Sequence, residues 1–148
     1  MSGAIIKIKN LSGFGLPKYE TLGAAGMDVR SSAPIDVDIE PNSSCKIPTG
    51  LYFSIPNGYE IQVRSRSGLA AKHSISVLNS PGTIDSDYRG ELIVILHNHH
   101  KTSSFRVSMG DRIAQILLKK VERIVWENVS ELDSTERGEG KFGSTGVK

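Results

Sequence analysis

Fifteen glycines and six prolines, about one residue in seven, interrupt this 148-residue chain too often for a bundle of long helices. The segments between the breaks are short and of β type. Ile5 to Lys9 alternates apolar and polar residues, as does Ile35 to Glu40 before Pro41, and Leu51 to Ile55 lies between Gly50 and Pro56. Tyr59 to Arg64 alternates cleanly, with Tyr59, Ile61 and Val63 on one face and Glu60, Gln62 and Arg64 on the other. Glu91 to Leu96 is nearly continuous apolar, the pattern of a strand buried on both faces. Many short strands between Gly/Pro turns predict a β-sandwich, barrel or jelly roll.

Two stretches read differently. Ile113, Leu117, Val121, Ile124 and Asn128 fall near helical spacing, with Ile116 and Val125 filling the stripe. Periodicity leaves a helix here in competition with two strands, Ile113 to Val121 and Arg123 to Glu127. A short helix is also expected over Gly68 to Lys72, with Ser67 as a candidate N-cap.

The length suits one domain over 1–148, with a core to about 127 and an arm from about 128. Glu131 to Lys148 is polar, charged and Gly-rich, with Leu132, Phe142 and Val147 as its large apolar residues. Such a segment cannot fold by itself. It reads either as a disordered terminus or as a loop whose N–H groups wrap phosphate oxygens. A formal net charge of +2 gives no reason to expect a nucleic-acid or membrane partner. The single Cys45 excludes an internal disulfide and fits a reducing, cytoplasmic setting. The N-terminus lacks a signal-peptide apolar block, and no apolar run has the roughly 20 residues that span a bilayer.

Five segments could carry chemistry. In the tail, Gly138, Gly143, Ser144 and Thr145 nearly copy P-loop spacing, but Ser144 stands where a P-loop has Lys, and no strand–loop–helix context is available. Arg137 could still neutralise a terminal phosphate, and Phe142 could stack on a base. Arg64-Ser65-Arg66-Ser67-Gly68-Leu69-Ala70 joins an alternating strand to a short helix, which suits either a polyphosphate clamp or a solvated basic strand end. Gly82 to Gly90 puts Asp85, Asp87 and Tyr88 after the turn Asn79-Ser80-Pro81-Gly82; a period of two would place both carboxylates on one face, as a general base and its companion or as two turn residues. Ala24 to Asp28 and Gly110 to Gln115 each look like a turn entering a strand. His97, His99 and His100 read as a loop-end cluster rather than a metal site, with no Cys or carboxylate pair nearby.

Taken in order, these segments resemble the motifs of the homotrimeric deoxyuridine triphosphatase (dUTPase) family. The matching stretches are Ala25-Gly26-Met27-Asp28-Val29, Arg66-Ser67-Gly68-Leu69-Ala70, Gly82 to Gly90, Gly110-Asp111-Arg112-Ile113-Ala114-Gln115, and Arg137 to Ser144. Leu16-Pro17, Tyr19 and Pro48-Thr49-Gly50 also fit, and Met27 is a small departure. The resemblance implies an all-β fold, a jelly-roll-like distorted β-barrel with one short helix after the second motif and a flexible C-terminal tail. It makes Ile113 to Val125 strands. It also implies a homotrimer with three shared active sites, each closed by the tail of a neighbouring chain.

The implied reaction is dUTP plus water giving dUMP and pyrophosphate, which keeps uracil out of DNA and supplies dUMP for thymidylate synthesis. By resemblance Asp85 is the general base for the attacking water, Asp28 supports the site and its metal-water shell, and Gln115 contacts the α-phosphate side. Arg66, Ser67 and Gly68 correspond to the phosphate-binding turn; Arg137, Ser144 and Thr145 to the lid groups on the γ-phosphate. Asn79, Thr83, Ile84, Tyr88, Phe142 and Gly143 correspond to the uracil and deoxyribose pocket, with Phe142 stacked on the base and Tyr88 under the sugar. Mg²⁺ would be held by the triphosphate and water, with no direct protein ligand. Two rival readings share the fold: a dCTP deaminase, and a nucleotide-binding regulatory module without catalysis.

Overall fold

Alternating burial along short strands builds two antiparallel sheets around one core. The structure, a computed structural model, describes residues 3–142. In chain order the elements are β1 (Lys7–Asn10), β2 (Met27–Arg30), β3 (Val37–Ile39), β4 (Ser44–Ser54), β5 (Tyr59–Arg64), α1 (Ser67–His73), β6 (Ile75–Val77), β7 (Gly82–Ile84), β8 (Glu91–Asn98), β9 (Phe105–Val107) and β10 (Arg112–Lys120). One sheet has the order β1-β4-β8-β6 and the other β2-β10-β5-β7, while β3 pairs with β9. This is the expected jelly-roll-like all-β fold, and α1 is its one helix among the described residues.

The core forms where the inward residues of both sheets meet. Ile47, Leu51 and Phe53 of β4 and Leu92, Val94 and Leu96 of β8 pack with Ile61 and Val63 of β5 and Ile113 and Ile116 of β10. Each fully buried side chain of this size contributes about 1.5–3 kcal/mol of hydrophobic stabilisation. Buried polar groups are satisfied: Thr49 donates its hydroxyl to the Leu92 carbonyl at 2.6 Å, and Asn98 donates its amide to the carbonyls of Ile39 at 2.9 Å and Ser103 at 2.8 Å.

The stretch with helical spacing is a strand. In β10, Ile113 and Ala114 are buried, and so are Ile116 and Leu117, because this internal strand is covered on both faces. Burial on both faces lets apolar residues fall in adjacent pairs, which imitates a 3.6-residue stripe; the ladder is also irregular between Arg112 and Ala114. Three further expectations are corrected. Arg123 to Glu127 forms no strand; Ile124, Val125 and Trp126 are exposed and have no ladder partner in this chain. β8 is not buried on both faces, since Ile93 stands 38% exposed between buried Leu92 and Val94. The N-cap of α1 is Arg66, not Ser67, and it makes no side-chain capping bond.

β4 begins earlier than its sequence pattern suggested and passes through Pro48 and Gly50. Its register against β8 shifts between Pro48 and Tyr52, and Glu91 Oε1 fills the gap by accepting the N–H groups of Thr49 at 3.1 Å and Gly50 at 2.8 Å. Gly50 has φ +68°, and a Cβ there would lie 2.6 Å from the Ser12 backbone nitrogen, so no other residue fits without a shift.

Candidate active site

Sheet register assembles the first part of the site. In the row across β2, β10 and β5, Asp28 lies opposite Gln115, and Gln115 lies opposite Arg64. Two residues beyond Arg64 the chain reaches Arg66, whose Nε donates to Asp28 Oδ1 at 3.0 Å and whose Nη1 donates to the Arg112 carbonyl at 3.1 Å. Arg112 Nη1 approaches the other oxygen, Asp28 Oδ2, at 3.5 Å. One carboxylate therefore orders two guanidinium groups and leaves a net positive charge. Gln115 Nε2 donates to the Ser65 carbonyl at 2.9 Å. Gly26 makes room for it, since a Cβ there would lie 2.8 Å from Gln115 Oε1. Ser67 and Gly68 open α1 beside these arginines and are exposed. Arginines held in place, an amide and free backbone N–H groups suit a polyphosphate.

The hairpin-like link from β6 to β7, strands that belong to different sheets and pair with β8 and β5 respectively, supplies a second part. Its turn carries exposed Asn79 and a cis Ser80–Pro81 bond. Gly82 closes it tightly: a Cβ would sit 3.2 Å from Asn79 Nδ2 and 3.4 Å from Val63 Cβ. Thr83 is exposed, and Ile84 packs against the core. Asp85 leaves the strand, exposed, and its carbonyl accepts the Tyr88 N–H at 3.2 Å. Asp87 consequently lies within a turn and does not share a strand face with Asp85, as simple alternation had suggested. Arg89 braces this turn by donating to the carbonyls of Ser86 at 2.6 Å and Tyr88 at 2.9 Å. Tyr88 folds back, and its hydroxyl donates to the Glu91 carbonyl at 3.0 Å. Gly90 permits this, because a Cβ there would overlap the Tyr88 hydroxyl.

Asp85 is not brought to the arginine cluster within one chain. Ile84 pairs with Ile61, which puts Asp85 beside Glu60 at one end of β5, whereas Arg66 and Gln115 lie past the other end, at Arg64. Four residues of extended chain separate Glu60 from Arg64 and six separate it from Arg66, about 13–20 Å. Asp85 instead opens into a polar hollow of about 300 Å³ with Tyr59, Glu60, Asp87, Val121 and Arg123. The tail is separate again. Arg137 is exposed and donates to the Gly140 carbonyl at 3.2 Å, and Phe142 is fully exposed. Gly143, Ser144 and Thr145 lie outside the described residues.

Sequence reading singled out Asp28, Arg66 and Gln115 but not Arg112, Ser65 or Glu91. Arg112 stood inside a quoted motif; its partner across 84 residues depends on ladder register, which no local pattern reveals. The histidines are engaged locally. His97 Nδ1 shares a hydrogen bond with Ser44 Oγ at 2.8 Å and His99 Nε2 with Ser76 Oγ at 2.7 Å, while His100 Nδ1 accepts from Thr102 and Ser103 N–H groups. Among the described residues no three His, Cys, Asp or Glu side chains come together, so they offer no closed cage for a metal. None of their helices is long and apolar enough to cross a membrane.

Comparison with known proteins agrees with this fold. The dUTPase family model matches residues 13–146. A deoxyuridine 5'-triphosphate nucleotidohydrolase of Maricaulis maris is 52% identical, with the alignment covering 100% of both chains. That of Fusobacterium nucleatum is also 52% identical, over 95% of this chain and 96% of the other. The solved structure of Staphylococcus bacteriophage 80alpha dUTPase with dUPNHPP superposes with a TM-score of 0.87 at 29% identity, covering 98% of this chain and 100% of that one. A family match along almost the whole chain, relatives of the same length at half identity, and a shared fold lead to one conclusion: this chain belongs to the dUTPase family.

Proposed function

We propose that this chain hydrolyses dUTP to dUMP and pyrophosphate in sites shared between copies, with Asp85 of one copy acting opposite the Asp28–Arg66–Gln115 cluster of another. The hydrolysis is that of its family. The sharing rests on one observation: Asp85 and Arg66 sit at opposite ends of β5. A general base works through direct contact or one water, with hydrogen bonds of about 2.6–3.2 Å, so a gap several times larger needs a second copy. A homotrimer satisfies this, with each arm crossing to a site made by the other two chains. Exposed Ile124, Val125 and Trp126 at the root of the arm give it apolar surface to bury there.

In this reading Asp85 accepts the proton of a water aligned in line with the α-phosphorus. Gln115 donates to the α-phosphate side, and Arg66, Ser67 and Gly68 hold the outer phosphates. Most of the rate enhancement comes from positioning and charge stabilisation. Asp28 keeps Arg66 and Arg112 aimed and can also accept from water around a bound ion. Mg²⁺, a hard cation that suits triphosphate oxygens and water better than this carboxylate-poor donor set, would neutralise developing phosphate charge. Arg137 with Ser144 and Thr145 closes over the γ-phosphate, and Phe142 covers the base. Residues 1–148 act as one domain, a barrel to about 127 and an arm beyond.

Asn79, Gly82, Thr83 and Ile84 line the hairpin that reads uracil. Cytosine would present a donor where uracil has an acceptor and leave buried groups unpaired. The Tyr88 ring, pinned to Glu91, fills the space that a ribose 2′-hydroxyl would need. The test is pyrophosphate release from dUTP with Mg²⁺, with dCTP, dTTP and UTP as controls. Release from dUTP alone supports the reading. Ammonia from dCTP, or binding of dUTP without turnover, overturns it.

A further inference from the structure

We propose that Ser65 is a positioning residue that fixes the uracil-reading hairpin to the phosphate-binding scaffold. The observations are local. β6 is an edge strand of its sheet, hydrogen-bonded on one side to β8. Leu78 N–H points toward β8 and bonds to the Ile95 carbonyl at 2.8 Å, so the preceding N–H, that of Val77, points the other way, off the sheet edge. It finds its acceptor just beyond β5 of the opposite sheet, at Ser65 Oγ, 2.8 Å away. Val77 is the last residue of β6, immediately before the turn that carries Asn79. The hydroxyl therefore holds the hairpin at its root.

The same residue faces the phosphate side through its backbone. The Ser65 carbonyl accepts Gln115 Nε2 at 2.9 Å, and the next residue is Arg66. Side chain and main chain thus serve two different half-sites, the hydroxyl the base hairpin and the carbonyl the α-phosphate amide. Half-buried Ser65 lies between two arginines, and alanine there removes the acceptor while leaving the carbonyl in place. Val77, 3% exposed, would keep an N–H that water reaches poorly. The hairpin would then sample other positions, and base recognition would weaken without a direct change at the phosphate groups.

This inference rests on the reading of the hairpin as the uracil site, and the experiment separates the two. Ser65→Ala, Ser65→Thr and the unaltered chain are compared with dUTP and dCTP as substrates and pyrophosphate as inhibitor. Backbone amide exchange is followed over residues 75–82. In Ser65→Ala the KM for dUTP is expected to rise about tenfold, the value of one lost buried hydrogen bond, with kcat changed less than about threefold. The preference for dUTP over dCTP falls, pyrophosphate inhibition stays the same, and exchange at Val77 and Leu78 accelerates. Ser65→Thr, which keeps the oxygen, restores KM, preference and exchange. Unchanged KM and preference in a folded Ser65→Ala protein overturn the proposal, and so does an equal weakening of pyrophosphate inhibition. If Ser65→Ala does not fold, Ser65→Cys, with a weaker acceptor, must show the same exchange and KM changes in smaller measure; normal values there also overturn it. Failure of the unaltered chain to turn over dUTP would refute the hairpin's assigned role, while the exchange comparison would still report on the tether.

Discussion

Asp28 and Arg66 form a 3.0 Å ion pair across 38 residues of sequence, with each side chain only 23% exposed. A pair this sheltered from solvent is screened little by salt, so the carboxylate holds the guanidinium at one angle before any substrate arrives. The second arginine, Arg112, leans on the same carboxylate from 3.5 Å. Asp28→Ala removes the anchor of both and leaves two cations to repel each other. A fall in kcat/KM for dUTP of about 10- to 100-fold is expected, the value of one to two charged hydrogen bonds. Asp28→Asn keeps an oxygen for Arg66 Nε and should lose less. Steady-state kinetics on the two variants checks the order, and equal losses would show that charge, not aim, is the contribution of Asp28.

Asp85→Asn tests the base. The amide keeps the shape and the turn, since the hydrogen bond from Tyr88 goes to the backbone carbonyl and not to the side chain. Turnover of dUTP should fall by about 10²–10⁴-fold, the usual contribution of a positioned general base, while affinity for a non-hydrolysable analogue stays near normal. Calorimetry alongside pyrophosphate release separates the two quantities. Near-normal rates in this variant would remove Asp85 from the role.

Much of this was legible in the chain. The alternation of Tyr59 to Arg64 matches β5 residue for residue, and the short helix appears where Gly68 to Lys72 predicted it, extended to Ser67–His73. Residues that act through long-range register were not legible. Nothing local pairs Asp28 with Arg112, and nothing local shows that Asp85 and Arg66 stand at opposite ends of one strand. Helical spacing misled at Ile113 to Leu117 because it assumes one buried face, and β10 has two. The strand reading of Arg123 to Glu127 failed for another reason: apolar residues suggest burial, yet Ile124, Val125 and Trp126 are exposed in this chain.

Tyr88 gives a prediction about the sugar. Its ring is held by the hydroxyl bond to the Glu91 carbonyl and by the absence of a side chain at Gly90. Tyr88→Ala should raise kcat/KM for UTP relative to dUTP by about tenfold or more, since a steric barrier is removed. Gly90→Ala, which forces the same ring aside, should move the ratio in the same direction. Competition assays with the two nucleotides read this directly. Unchanged discrimination in both variants would place the sugar gate elsewhere.

Acid stability should respond to Asp38. Arg106 grips it with two hydrogen bonds of 2.8 Å between β3 and β9, and this hydrogen bonding holds the Asp38 carboxyl below its ordinary value of 3.8. A carboxylate whose pKa is lower in the folded chain binds fewer protons there than when unfolded. Its contribution is therefore complete above the unfolded value, about 3.9, and is lost as pH falls through the depressed folded one. The pair is open to solvent, so the effect should be small and weakened by salt. Thermal unfolding of Arg106→Gln against the unaltered chain from pH 6 to pH 2 should show a gap that closes toward the acid end. A gap constant with pH would mean that the arginine acts by packing.

Removal of the chain from Arg137 onward should separate folding from catalysis. The last strand ends at Lys120, the core contains no residue beyond Leu118, and every described residue from Glu122 to Phe142 is exposed in the single chain. Truncation therefore takes away no buried core, and the melting temperature should stay within about 2–4 °C of the full chain. It does remove Arg137, Phe142 and the glycine-rich end proposed to close over the γ-phosphate and the base. Loss of that closure admits water to the phosphates and leaves the terminal charge unpaired, which should lower kcat by at least about 10²-fold. Because the cut spares Ile124, Val125 and Trp126, light scattering should still give the mass of a trimer. A truncated chain that is monomeric or unfolded would make the tail structural, and one that keeps full turnover would remove it from the site.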